Sequence, residues 1–126
     1  MHIIGHGIDI VDTARIADML SRHRAAFLER CFTPAEQALC DNRKREVEHY
    51  AGRFAVKEAI LKVLGTGWSN GIAWTDMEIL PDPAGKPILK LTGQCQRIAD
   101  KLGIQRWHVS ISHISTHATA SAIGEG

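Results

Sequence analysis

The sequence has few cysteines, and nothing in their spacing suggests that they form a framework. The three cysteines of this 126-residue chain, Cys31, Cys40 and Cys95, are odd in number and include no Cys-x-x-Cys pair. A disulfide framework or a structural zinc site is therefore not expected. Reduced thiols are the simplest interpretation, and they predict a cytoplasmic protein.

Long apolar runs and an excess of charge of one sign are also missing. No apolar segment approaches the roughly 18 residues that suggest a membrane span, and nothing after Met1 has the pattern of a secretory signal. Lysine and arginine number 15 against 14 aspartate and glutamate, which gives a net charge of +1. That balance argues against non-specific nucleic-acid binding. We therefore expect neither a membrane nor a nucleic-acid partner.

What is present is the composition of an ordinary folded domain. Hydrophobic residues make up 44% of the chain and charged residues 23%, so neither intrinsic disorder nor a fibrous repeat fits. A chain of this length has one sizeable core. We expect residues 1–126 to form a single domain.

The order of the predicted elements indicates an α+β fold. In chain order we expect a strand at 2–11, a helix capped by Asp12 or Thr13, a helical piece at 25–30, a helix from the Thr33–Glu36 capping box, a long helix at 46–64 ended by Gly65, strands at 75–80 and 87–91, a helix at 92–102, and strands at 107–112 and 118–123. Helices that come early and hairpin-type strands that come late predict a mainly antiparallel sheet, packed against the long central helix. Gly5 and Gly7 in the first strand would leave room for another backbone to approach closely.

Two carboxylates stand out as candidates for chemistry. Glu58 lies four residues before Lys62 on an apolar stretch of the long helix. On the helix alone, an ordinary surface ion pair explains these two residues. Asp9 lies inside a strand between two isoleucines, where an unpaired carboxylate is costly to bury, although it could instead cap the following turn. Asp9 and Glu58 together could supply two hard oxygen ligands to Mg²⁺ beside a phosphate.

Groups that could bind a phosphate follow in the sequence. Arg53 and Lys57 are basic positions on the long helix, and Lys57 lies away from the face of Glu58. The loop at 65–67 could present backbone N–H groups to an anion, but a helix cap and a turn explain it equally well. Ser112 and His113 offer a hydroxyl and an imidazole near a strand end, without the elbow motif of a serine nucleophile.

Arginines gather on the first predicted helix. Arg15, Arg22 and Arg24 belong to this group. Most such runs are solvated faces of a helix. If they do bind a partner, an acidic protein surface suits them better than RNA, because aromatic side chains that could stack on bases are missing there.

Together these motifs resemble the holo-acyl-carrier-protein synthases, the short bacterial type of 4′-phosphopantetheinyl transferase. The similar segments, in order, are Gly5–Ile10 followed by Arg15, Phe32–Glu36, Arg53–Gly67, Gly85–Pro87 and Ser110–His113. They span essentially the whole chain. The resemblance implies transfer of the phosphopantetheine arm of coenzyme A to a serine hydroxyl of apo acyl carrier protein, with Mg²⁺ as cofactor and adenosine 3′,5′-bisphosphate as product. It also implies a homotrimer with active sites at subunit boundaries.

The resemblance assigns roles to individual residues. It implies Asp9 and Glu58 as Mg²⁺ ligands, Asp9, Glu58 and Lys62 as catalytic residues, Arg53, Gly65, Lys86, Pro87, Ser112 and His113 as contacts of coenzyme A, and Arg15, Arg22 and Arg24 as contacts of the carrier protein. Glu58 is the candidate to accept the serine proton.

Two other functions fit parts of the pattern. A non-enzymatic module could bind an acidic protein through the arginines, in which case Asp9 and Glu58 would be structural. A metal-dependent pyrophosphate hydrolase would use the same carboxylates but would need no carrier protein.

Overall fold

The computed structural model describes residues 1–41 and 43–126, which contain four α-helices and five strands. These are β1 (Ile3–Asp12), α1 (Thr13–Cys31), α2 (Pro34–Cys40), α3 (Glu46–Leu64), β2 (Met77–Pro81), β3 (Pro87–Leu91), α4 (Gly93–Leu102), β4 (Arg106–His113) and β5 (His117–Glu125), with a short 3₁₀ turn at Trp74–Asp76. The expected α+β fold is confirmed. No helix among these residues has both the length and the hydropathy to cross a membrane.

The strands form two sheets, and every pairing is antiparallel. The larger sheet has the strand order β1-β5-β4, and β2 pairs with β3 in a hairpin. Helix α3 packs on one face of the larger sheet. Its N-terminal half meets β4, where a Cβ on Gly52 would lie 2.9 Å from Cγ2 of Ile111. Its C-terminal half meets β1, so the helix crosses the sheet from one edge strand to the other.

The contact between β1 and α3 requires glycine. A Cβ added to Gly7 would lie 2.1 Å from the carbonyl oxygen of Ala59, and one on Gly5 would lie 2.9 Å from Cγ1 of Val63. Real atoms do not approach that closely, so a side chain at either position would push the strand off the helix. The prediction that these glycines admit a close backbone approach is confirmed.

Local signals in the sequence account for most helix ends. The side chain of Asp12 caps α1 by accepting from the backbone N–H of Ala14 at 2.9 Å, and the Thr33–Glu36 capping box opens α2. Non-helical dihedrals at His23 kink α1 (φ −138°, ψ 37°), which explains why the sequence predicted two helical pieces there. The strand expected at 75–80 begins later, because its first residues belong to the 3₁₀ turn.

A fully buried ion pair lies at the centre of the fold. The ammonium of Lys57 on α3 donates to Oε1 of Glu36 on α2 at 2.7 Å and to the carbonyl oxygens of Cys31 and Trp74 at 2.6 and 3.3 Å. The other carboxylate oxygen of Glu36 accepts from the backbone N–H of Ile79 on β2 at 3.1 Å. Burial lowers the pKa of Lys57, and the Glu36 carboxylate opposes that shift. The pair thus connects α1, α2, α3 and the start of the hairpin.

We predict that Lys57→Met lowers the free energy of unfolding by about 3–5 kcal/mol, because the Glu36 carboxylate then stays buried without its cation. Denaturant unfolding at fixed protein concentration measures the loss. Lys90→Met, at an exposed position on β3, is the matched control and should change stability by less than about 0.5 kcal/mol. Equal losses in the two variants would contradict a central role for the buried pair.

Candidate active site

Asp9, Glu58 and Lys62 meet where β1 crosses α3. The absence of a side chain at Gly7 brings the strand onto the helix, and Asp9, two residues further on, is on the same face of β1. The ammonium of Lys62 donates to the carbonyl oxygen of Ile8 at 2.7 Å and to Oδ1 of Asp9 at 3.3 Å. The structure therefore brings the three predicted catalytic side chains together.

This geometry decides between the alternative roles that the sequence left open. Lys62 does not form the surface pair with Glu58, because its ammonium is bonded to β1 instead. Asp9 does not cap the following turn, since Asp12 does so. Both carboxylates are thus available to the site.

The two carboxylates form an electrostatically unfavourable pair. Partial burial raises the pKa of Glu58, and the neighbouring Asp9 carboxylate raises it further, while Arg15 and Lys62 oppose the shift. Within the part of the chain that the structure describes, Glu58 has neither a hydrogen bond nor an ion pair. A bound cation would relieve the repulsion and satisfy these oxygens.

The two carboxylates suit Mg²⁺ better than a metal whose ligands all come from protein side chains. Among residues 1–41 and 43–126, no group of three or more His, Cys, Asp or Glu side chains is placed to hold a metal. Mg²⁺ commonly uses one or two carboxylates and completes its shell with water and substrate phosphates. Asp9 and Glu58 supply that number of carboxylates.

A second cluster, which we call the basic pocket, lies between α3, β4 and the hairpin. This pocket of about 280 Å³ is lined by Arg53, Pro87 and His113 among others. Arg53 is largely buried, with its Nε donating to the carbonyl oxygen of Ile79 at 3.1 Å. Lys86 is exposed beside the pocket, next to Pro87. Four predicted contacts of coenzyme A are thus neighbours.

Three charged or titratable residues that were not predicted from the sequence also line this pocket. They are Arg43, Glu48 and His49. Nδ1 of His113 lies 2.7 Å from Oε1 of Glu48. Burial lowers the pKa of His49, and the nearby Arg53 and Arg43 lower it further. The run at 43–45 was a visible basic signal, but nothing local to Glu48 indicated a partner 65 residues away.

The other two predicted contacts of coenzyme A lie elsewhere. Gly65 ends α3 in the left-handed conformation (φ 74°), and its N–H bonds to the carbonyls of Leu61 and Lys62, while the N–H of Thr66 also bonds to Leu61. These two N–H groups therefore cap the helix, which is one of the two explanations that the sequence left open, and the contact of Gly65 with coenzyme A stays a prediction. Ser112 lies on the outer face of the sheet, opposite the neighbouring His113, in a shallow groove beside Ile8.

The three arginines of α1 occupy different settings. The guanidinium of Arg15 lies 5.5 Å from the centre of the Phe54 ring, near Glu58. Arg22 is exposed, and its one ion pair among the described residues is with Asp18, one turn earlier. Arg24 lies beyond the kink and bonds to Asp41 and Glu46 at 2.9 and 2.6 Å. Arg15 and Arg22 are therefore the freer cations of the three.

An apolar pocket that the sequence did not suggest adjoins Arg15. It has a volume of about 400 Å³ between α1 and the segment that carries Trp68 and Trp74, whose rings stack 6.1 Å apart. Phe54, one turn before Glu58, forms part of its wall. The pocket thus lies one helical turn from Glu58, on the side of Arg15.

Comparisons with known proteins identify the family of this chain. A model of the 4′-phosphopantetheinyl transferase superfamily matches residues 5–121. A holo-[acyl-carrier-protein] synthase of Koribacter versatilis is 43% identical over 98% of both chains. Among solved structures, the synthase of Bacillus anthracis in complex with CoA (3′,5′-ADP) has a TM-score of 0.81 and 36% identity, covering 98% of this chain and 97% of that one. The synthase of Helicobacter pylori in complex with coenzyme A has a TM-score of 0.84 and 34% identity, covering 95% and 99%.

The matches extend over nearly the full length of the chain and include the segments that carry the carboxylate pair and the basic pocket. The chain is therefore an enzyme that belongs to the holo-[acyl-carrier-protein] synthases of the 4′-phosphopantetheinyl transferase superfamily.

Proposed function

We propose that this protein transfers the phosphopantetheine arm of coenzyme A to a serine hydroxyl of apo acyl carrier protein in a Mg²⁺-dependent reaction. The serine oxygen forms a bond to the phosphorus that carries the arm. The bond from that phosphorus to the bridging oxygen breaks, and adenosine 3′,5′-bisphosphate leaves. The serine proton passes to a base on the enzyme.

The observation that carries this proposal is the cluster of Asp9, Glu58 and Lys62. A purely structural role for the carboxylates, as a binding module would require, gives Glu58 no function, because no described side chain pairs with it. Two carboxylates beside one ammonium are instead suited to a pyrophosphate and its metal.

Each residue of the cluster has a role in the transfer. Asp9 and Glu58 would hold Mg²⁺, which when bound polarises the phosphoryl oxygens and offsets charge on the leaving phosphate. The ammonium of Lys62, fixed by the carbonyl of Ile8, would stabilise negative charge on the pyrophosphate as the bond breaks. Glu58 is the candidate to accept the serine proton.

Coenzyme A would reach from this cluster to the basic pocket. Arg53, Lys86 and His113 are basic groups for its phosphates, and Pro87 offers an apolar surface. Gly65 and Ser112 complete the expected contacts but lie outside that pocket in one chain. We therefore propose that a second copy supplies the missing contacts, as in the homotrimer that the sequence resemblance implies.

The carrier protein would approach along α1. Arg15 and Arg22 offer exposed positive charge to an acidic surface, which should speed the encounter and make it salt-sensitive. Arg24 is largely occupied by its acidic partners within the chain and would contribute less. The pocket beside Phe54 would receive apolar groups near the transfer site.

We predict that intact-mass spectrometry will detect the gain of one phosphopantetheine arm on apo acyl carrier protein incubated with this enzyme, coenzyme A and Mg²⁺. Asp9→Asn and Glu58→Gln keep side-chain size but remove the charge, and each should slow transfer by about a hundredfold or more. EDTA should abolish it. Asp100→Asn, an exposed change on α4, is the matched control and should leave the rate unchanged.

Other outcomes separate the rival functions. Breakdown of coenzyme A without a carrier protein would favour a pyrophosphate hydrolase. Binding of the carrier protein without any mass gain would favour a binding module. A mass gain that survives both substitutions would retain the transferase but overturn the metal ligands.

The outer face of β1 is apolar and exposed, so we expect it to pack against other copies of the chain. Ile8 and Ile10 are 60% and 67% exposed there, and Ser112 lies on the same face of the sheet. We predict that the protein sediments at three times its chain mass of 13.9 kDa and that Ile8→Asp shifts it to a single chain. Ile88→Asp on β3, 49% exposed in the wild type, should not. Sedimentation of the wild type as a single chain would contradict the homotrimer.

A further inference from the structure

A carboxylate lies in a pocket that is otherwise built for an anion. Glu48 lines the basic pocket together with Arg43, Arg53 and His113. An acidic side chain facing a bound phosphate would oppose binding by like-charge repulsion. A carboxylate at this position is compatible with anion binding only if another group of the protein balances its negative charge.

That group is His113. Its Nδ1 lies 2.7 Å from Oε1 of Glu48, a distance typical of a charge-assisted hydrogen bond. The contact joins the first turn of α3 to the last residue of β4. Both side chains are mostly covered, with 29% of His113 and 17% of Glu48 exposed.

The contact assigns the two ring nitrogens different tasks. An ionised carboxylate can only accept a hydrogen bond, so Nδ1 carries a proton. Among the residues that the structure describes, none hydrogen-bonds Nε2. With a phosphate on that side, the ring would lie between two anions, the arrangement in which an imidazolium donates from both nitrogens.

The geometry points to Glu48 as a positioning residue that holds Nδ1 of His113 and so directs Nε2 at a phosphate of coenzyme A. This inference rests on the proposed function, because it takes coenzyme A as the ligand of the pocket. Glu48 acts only through the histidine and does not contact the reacting atoms.

Measuring KM and kcat separately in Glu48 variants tests this role. Glu48→Ala should raise the KM for coenzyme A about tenfold, the effect of losing one charge-assisted hydrogen bond, and leave kcat within about twofold. Glu48→Gln keeps an oxygen acceptor for Nδ1 and should recover part of the affinity. A fall in kcat with unchanged KM would overturn the inference.

A double-mutant cycle separates positioning from a direct role. His113→Ala should raise the KM by at least as much as Glu48→Ala, and Glu48→Ala should have no further effect in the His113→Ala background. Additive effects would mean that Glu48 acts independently, which contradicts the proposal. Glu125→Gln is the matched control. Oε1 of Glu125 lies 3.3 Å from Nε2 of His108 in a similar contact, and neither residue lines this pocket.

Two further measurements address folding and the proposed function separately. In the complex with coenzyme A, long-range ¹H–¹⁵N spectra should find protons on both ring nitrogens of His113 in the wild type, and a smaller fraction of this doubly protonated ring in a folded Glu48→Ala variant. Calorimetry with coenzyme A alone should find binding to the wild type. Absence of that binding would overturn the proposed function as well, whereas normal transfer with an unchanged KM in Glu48→Ala would overturn the positioning role alone.

Discussion

The buried ion pair between Lys57 and Glu36 fixes the rotation of α3 about its own axis. That rotation decides which side chains of the helix face the functional site. Adjacent residues of a helix are separated by about 100°, so a Lys57 side chain fixed towards α2 and β2 turns Glu58 away from them. On the other side, the close approach of Gly7 to Ala59 sets β1 against the same helix. The carboxylate pair thus exists because α3 is fixed on two sides. A charge buried this completely is tolerated only because its partners are complete.

The same helix separates the site into two parts. Its C-terminal half carries Glu58 and Lys62 at β1, while its N-terminal half carries Glu48 and Arg53 near β4, and these two strands are the opposite edges of one sheet. Ten residues separate Glu48 from Glu58, roughly 15 Å of helix. Ser112 faces the other side of the sheet altogether. This distribution is the physical reason for expecting a second copy of the chain to complete the site.

The sequence predicted those features that have local causes. The cap of α1, the Thr33–Glu36 capping box and the glycine at the end of α3 each act within a few residues. The sequence left the first of these between Asp12 and Thr13, of which the structure has Asp12, and the other two predictions are confirmed. Long-range pairings were not predictable in this way. Nothing beside Lys57 indicated that it would be buried, since its partner lies 21 residues away, and the contact of Glu48 with His113 depends on how β4 packs against α3. At Gly65 the sequence left a helix cap and an anion site as alternatives, and in the structure the N–H groups of Gly65 and Thr66 cap the helix.

The central claim is that Asp9 and Glu58 hold the metal on which phosphopantetheine transfer depends. A crystal structure grown with coenzyme A and Mn²⁺ in place of Mg²⁺, with an anomalous difference map, tests it most directly. The account predicts a metal peak bonded to both carboxylates at about 2.1 Å and to the pyrophosphate of coenzyme A. Coenzyme A bound with its pyrophosphate away from these residues, or a metal peak that touches neither carboxylate, would contradict it.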